Sequence, residues 1–196
     1  PYLKKIIMHG FKSFASRTEL LFEKGFNIIV GPNGAGKSNV IDALCFALGR
    51  LSAKSMRVAK AANLIFHGTQ QRKPAKEAIV ELVFDNSDKR LQGINETEVK
   101  ITRIVRRDGT SIYKLNDKTV ARQVLVDWLM QNNINPYGFN IILQHEIIKF
   151  IEMHPEERRK IIEDIAGIAA YEKKKEKSLA ELKKTEERLK EVTTIL

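Results

Sequence analysis

The sequence predicts an α/β fold on three observations. An apolar run leads into a glycine-rich loop and a helical period, the middle of the chain alternates apolar with polar residues, and the last forty residues form a charged amphipathic tail. With 196 residues, 43% of them apolar, the chain can bury one sizeable core and carry an appendage outside it. Two domains are expected: a main lobe over residues 1–155 and a helical extension over 156–196.

The elements follow in order. Residues 5–9, 18–22 and 26–30 read as short strands, with turn signals at Gly10 and at Lys24-Gly25 between them. The third, FNIIV, is almost wholly apolar, as expected of a strand covered on both faces. Val40, Ile41, Leu44 and Leu48 then keep a helical period over residues 37–48, and Gly49 stands where a helix C-cap would. Residues 50–71 show little pattern and read as an irregular, basic excursion. Ala78, Val80, Leu82 and Phe84 alternate with the residues between them, and 98–106 and 110–115 flank Asp108-Gly109, a hairpin signal, so the middle section reads as antiparallel strands. Val124, Leu125, Trp128 and Leu129 predict a helix over 121–131, and 140–143 a short strand that ends at Gln144.

Pro155 fits the first turn of a helix that continues through Ile161, Ile162 and Ile165. Beyond it Leu182, Leu189 and Leu196 are spaced by seven among mixed charges, the pattern of the start of a coiled coil. The pattern runs to the last residue, so a longer protein is expected to continue it.

Lysine and arginine number 34 against 24 aspartate and glutamate, a formal charge of +10, which makes a polyanion such as nucleic acid the first partner to consider. The lone Cys45 lies in an apolar helical context and excludes a disulfide within the chain and a cysteine-built metal site. No run of about 18 apolar residues occurs, and the chain is expected to be soluble and intracellular.

The stretch GPNGAGKS carries the chemistry. Its glycines Gly31, Gly34 and Gly36 let the backbone take positive φ, so that successive N–H groups turn toward phosphate oxygens, and the following helix adds its positive pole. Lys37 supplies a point charge to the β- and γ-phosphates, and the Ser38 hydroxyl can ligate Mg²⁺. Pro32, Asn33, Ala35 and Asn39 complete the expected contact set for a nucleotide. Phosphoryl transfer also needs a carboxylate at the end of an apolar strand. Asp85 is the nearest candidate, but Asn86 follows it in an antiparallel context, and it reads as a turn residue, so the catalytic carboxylates are expected from elsewhere.

Several segments together resemble the N-terminal head segment of structural maintenance of chromosomes (SMC) proteins of prokaryotic or archaeal type. These are Gly10-Phe11-Lys12-Ser13-Phe14, GPNGAGKSNVIDAL from Gly31, LGRLSAKSMR from Leu48, and IIEDIAGIAAYEKKKEKSLAELKKTEERL from Ile161. The resemblance implies one lobe of an ABC-type P-loop ATPase head that binds ATP and Mg²⁺. The metal carboxylate, the catalytic glutamate and a Ser-Gly-Gly signature would come from a C-terminal lobe, and no Ser-Gly dipeptide occurs in these residues. Two heads would sandwich two ATP molecules in a homodimer, and the neck would engage a kleisin subunit.

By the same resemblance Gln144 is the glutamine-loop residue at the metal and joins Lys37 in catalysis. Lys12 reaches phosphate and Phe66, between Ile65 and His67, lines the adenine side. His145 stands where a smaller residue is usual. Arg57 matches an arginine that links DNA to ATP turnover, with Lys54 and Lys60 beside it and Arg72, Lys73 and Lys76 following. Such cations would contact double-stranded DNA through its phosphates, without sequence preference and with strong salt dependence. The expected setting is cytoplasmic, on the chromosome and away from membranes. A double-strand-break repair ATPase with a zinc hook is the related alternative, and a small-molecule kinase the unrelated one, which would need a lid and its own metal carboxylate.

Overall fold

The structure, a computed structural model, describes residues 1–50, 61–138, 141–143, 151–165, 175, 178–183 and 185. The chain divides into two compact units, Pro1–Tyr137 and Gly138–Leu196.

The first unit is built on a six-stranded antiparallel sheet. Its strands are β1 (Tyr2–His9), β2 (Thr18–Leu21), β3 (Glu77–Asp85), β4 (Glu98–Arg106), β5 (Ser111–Leu115) and β6 (Lys118–Val120), in the order β2-β1-β3-β4-β5-β6. Helix α1 (Lys37–Ala47) packs against β3 and β4, a 3₁₀ turn spans Ala61–Leu64, and α2 (Arg122–Gln131) follows β6 and packs against β5.

Period-two alternation dictates which face is buried. Register pairs Ile6 with Leu82, Met8 with Val80, Val80 with Arg103 and Leu82 with Ile101, so these side chains share one face. All are at most 2% exposed, and α1 supplies the facing layer through Val40, Ala43, Phe46 and Ala47. The Phe11 and Phe46 rings, 5.3 Å apart at a 44° tilt, join the turn after β1 to α1. Truncating a buried phenylalanine of this kind costs about 3–5 kcal/mol. On the solvent side ion pairs cross between strands, Lys5 with Glu19, Lys4 with Glu98 and Arg106 with Glu77.

The turns obey local chemistry. Gly49, at φ +85°, ends α1 in a Schellman arrangement: its N–H donates to Phe46 O and that of Arg50 to Cys45 O, both at 3.1 Å. Gly109, at φ +89°, closes the β4–β5 hairpin. A second hairpin, between β5 and β6, turns on Asn116 and Asp117, at φ +45° and +65°. Two successive left-handed residues of this type form the tight turn whose twist suits a hairpin. The Asn-Asp dipeptide was its signal in the sequence, and β6 is absent from the sequence reading. Asp85, expected as a turn residue, is the last residue of β3, and its side chain holds the turn that follows by accepting from Ser87 N and Ser87 Oγ at 3.2 and 3.1 Å.

The expected strand 26–30 does not form, and residues 141–143, the described part of the expected strand 140–143, are not in a strand either. Residues 26–30 have no strand partner among the described residues, and Phe26, Ile28 and Val30 are 91%, 69% and 83% exposed. The composition is that of a strand buried on both faces, but among the described residues no strand lies beside it.

In the second unit α3 (Pro155–Ile165) starts on the expected proline, with Glu156 and Glu157 in its first turn and an Arg159–Glu163 pair at 2.7 Å one turn apart. The acids lie at the positive pole, where they stabilise the helix. Residues 178–183 are helical, with Leu179 and Leu182 exposed. Leu189 and Leu196 lie outside the described residues. No helix of the described residues is long and apolar enough to cross a membrane.

Candidate nucleotide site

The site grows from the N-terminus of α1. Gly36 is the N-cap at φ +91° and Gly34 stands at φ +81°, left-handed conformations that strain any residue with a Cβ. Space tightens the requirement at Gly36, where a Cβ would lie 3.0 Å from Ser13 Oγ. The α1 N-terminus has neither a side-chain cap nor an acidic residue in its first turn. Its N–H groups and positive pole are therefore open to an external anion, the arrangement by which helix starts bind phosphate.

Lys37 folds back over the loop. Its Nζ donates to Gly31 O at 2.6 Å and to Pro32 O at 2.7 Å, and Ala35 N donates to Pro32 O at 3.2 Å. The ammonium is thereby held by two neutral carbonyls at the centre of the curl, and a phosphate oxygen, fully charged, is a stronger acceptor than either. The Ser38 hydroxyl lies one residue on and is exposed, free to meet a metal ion. The residues present could hold a nucleotide triphosphate with its metal ion: Gly31, Pro32, Asn33, Gly34, Ala35 and Gly36 would form the cradle, Lys37 would meet the phosphates and Ser38 the metal.

A second wall comes from the turn after β1. Asn39 Nδ2 donates to Ser13 Oγ at 2.8 Å, and Lys12, itself at φ +47°, places Nζ 2.5 Å from Asp42 Oδ2. Both Lys12 and Asp42 are largely buried, at 13% and 4% side-chain exposure. The structure therefore seats Lys12 along the flank of α1, one turn beyond Ser38. Phe66 is 9% exposed and packs in the core, its N–H donating to Gly10 O at 2.8 Å, while His67 beside it is exposed. Gln144, His145, Arg57, Lys54 and Lys60 lie outside the described residues. Arg72, Lys73 and Lys76 are exposed.

Three residues at or behind this site went unnoticed in the sequence. Asp42 is an acid at i+4 from Ser38, on the buried side of α1. Ser13 was seen only as part of a motif, and its hydrogen bond from Asn39 joins segments distant in sequence. Arg103 occupies an inward position among Val99, Ile101 and Val105 and is 2% exposed. A charged residue on the apolar phase of a strict alternation was the signal available.

A glycine loop curled onto a bare helix start, carried beside an antiparallel sheet, defines a P-loop nucleotide-binding lobe. The chain belongs to the family of RecF/RecN/SMC N terminal domains, which matches it over residues 2–138. It is 48% identical over 197 residues to the chromosome partition protein Smc of Pyrococcus furiosus, and 45% identical over 190 residues to that of Aquifex aeolicus. These alignments span 100% and 96% of this chain but only 17% and 16% of the two relatives' lengths.

Among solved structures, the Pyrococcus furiosus Smc head domain with an extended coiled coil, bound to the C-terminal domain of ScpA, superposes with a TM-score of 0.89 at 48% identity, covering 99% of this chain and 49% of that one. A structure from work on ATP-driven dimerization and DNA stimulated activation of SMC ATPases gives 0.78 at 47% identity, covering 84% and 99%. The fold is that of an SMC, ABC-type ATPase head lobe. The repair-ATPase alternative gains no support from these relatives.

Proposed function

We propose that this chain is the ATP-binding half of a head that engages a second head when ATP and Mg²⁺ are bound and hydrolyses ATP in response to DNA, in chromosome partition. The observation that carries the reading is the loop itself: left-handed Gly34 and Gly36, Lys37 at the centre of the curl, and an uncapped α1 start. The exposed apolar residues Phe26, Ile28 and Val30, immediately before the loop, support a complementary lobe that completes the sheet and brings the signature and the catalytic carboxylates. The head relatives that dimerise on ATP and that bind ScpA support a homodimer of heads and a kleisin at the neck, residues 156–196.

In this reading Lys37 and Gln144 act on the phosphates and the metal, while Phe66, expected at the adenine side, is instead a core residue. Arg57, Lys54 and Lys60 bind double-stranded DNA without sequence preference, and the protein works at the chromosome in the cytoplasm. The test is to combine the chain with its C-terminal lobe and assay ATP-dependent dimerisation and hydrolysis with and without DNA. The combined lobes are expected to hydrolyse ATP faster with DNA, and Arg57→Ala to lose that increment. Hydrolysis by residues 1–196 alone would overturn the division of the site. Deletion of the residues after Tyr171 is expected to abolish kleisin capture while sparing nucleotide contacts.

A further inference from the structure

The far end of α1 is built as deliberately as its phosphate end. Arg103 rises from β4 into the core, where its guanidinium lies 4.3 Å from the Phe46 ring centroid and 4.7 Å from that of Tyr113. Its Nη1 donates to Phe46 O at 2.9 Å and to Arg50 O at 3.2 Å, and its Nε donates to Ser111 Oγ at 3.0 Å. None of its partners among the described residues is a carboxylate, and burial pushes the guanidinium below its usual affinity for a proton. A buried cation without a counter-charge is costly, and here two ring faces and the negative pole of the helix offset that cost.

A second grip lies beside the first. Arg122 Nε of α2 donates to Gly49 O at 3.0 Å, the Tyr137 hydroxyl donates to the same carbonyl at 3.3 Å, and Arg122 Nη2 donates to that hydroxyl. The carbonyls of residues 46, 49 and 50 are thus all held by side chains from other elements. Gly49 already ends the helix through its Schellman arrangement, so these cations are not needed to stop it. They fix where it ends against β4, β5 and α2. The other end of this helix of eleven residues is the phosphate loop. An α-helix is stiff along its axis because its own hydrogen bonds resist compression, so a load imposed at one end is carried to the contacts that hold the other.

We infer that Arg103 is a positioning residue that couples the phosphate loop to the far end of α1, so that nucleotide bound at Gly31–Ser38 is felt at residues 46–50. This rests on the reading of the loop as an ATP site and adds the route by which occupancy leaves it. The residues that next follow Arg50 in sequence carry Lys54, Arg57 and Lys60, the cations that the proposed function assigns to DNA.

The experiment is hydrogen exchange on the full-length protein, wild type and Arg103→Lys, with and without Mg·ATP, alongside ATP affinity and turnover. Lysine keeps a charge at the helix pole but loses the planar fork that spans two carbonyls and Ser111. In the wild type ATP is expected to slow exchange both at 31–39 and at 46–50. In R103K the ATP affinity stays within about twofold and the protection at 31–39 remains, while the protection at 46–50 is lost and turnover falls about tenfold. Retention of the response at 46–50 in R103K overturns the inference alone, whereas failure of the wild type to bind ATP sinks the functional reading with it. A purely structural role would lower ATP affinity and turnover in parallel with thermal stability, and that outcome also counts against it. If R103K does not fold, Tyr113→Leu removes one of the two ring faces. Its loss of the 46–50 response at unchanged affinity supports the coupling, and full retention refutes it.

Discussion

Lys12 Nζ lies 2.5 Å from Asp42 Oδ2, so the turn after β1 is locked by charge to the phosphate-loop helix one turn beyond Ser38. Both groups are withdrawn from water, at 13% and 4% side-chain exposure, which separates this pair from the surface pairs that contribute almost nothing. Removing one member of a buried pair strands much of the desolvation cost of the other. Lys12→Ala is therefore expected to destabilise the chain by about 2–3 kcal/mol, below the range for a fully buried pair because Lys12 keeps some exposure. Urea unfolding followed by the fluorescence of Trp128, the single tryptophan, measures it. A change under about 0.5 kcal/mol, the usual size of a surface substitution, would show that the pair is ornamental.

Lys37 gives the opposite expectation. Its two acceptors, Gly31 O and Pro32 O, belong to an exposed loop, so little of the fold depends on them. Lys37→Met is expected to change unfolding free energy by less than about 0.5 kcal/mol while lowering affinity for ATP by at least about tenfold, the loss of one charge-assisted phosphate contact. Equilibrium binding of a fluorescent ATP analogue reads the second number, and unchanged affinity would remove Lys37 from the phosphate site.

The contrast between these two lysines shows what the sequence made legible. The loop is local: glycine spacing, a preceding apolar run and a following helical period all sit within residues 26–48, and each obeys backbone rules that act at short range. The alternations of β3 and β4 and the Gly49 cap were readable for the same reason. Asp42 and Arg103 were not, because their meaning depends on partners 30 and 57 residues away, Lys12 and Phe46. Residues 26–30 were read correctly as strand-like in composition but not in outcome, since a ladder needs a second strand that composition cannot supply.

The Lys4–Glu98 pair, at 2.5 Å across the sheet, sets a pH dependence. Its hydrogen bond from Lys4 is the main reason the Glu98 carboxyl stands below its usual 4.5, with burial opposing. A depressed carboxyl binds fewer protons folded than unfolded, so its contribution is present above pH 4.5 and is lost as pH falls through the lower folded value. Glu98→Gln is expected to differ most from wild type in stability near neutral pH and to converge with it as pH falls below the depressed folded value. The pair is partly exposed, so the gap should shrink in high salt. A gap that stays constant from pH 7 to about pH 3 would assign the effect to packing instead.

Phe26, Ile28 and Val30 carry the last prediction. At 91%, 69% and 83% exposure they leave little apolar area buried in this chain, so replacing all three by serine should cost its own stability almost nothing. If a complementary lobe covers them, each large side chain buried there contributes about 1.5–3 kcal/mol to that association, and the triple substitution should weaken it by several orders of magnitude. Titration of the chain with the C-terminal lobe by calorimetry distinguishes the two. Wild-type association is expected with a negative heat-capacity change from apolar burial, and the triple variant should show neither binding nor that signature. Undiminished binding by the variant would mean that the lobe docks elsewhere, leaving the strand-like composition of residues 26–30 without a structural purpose.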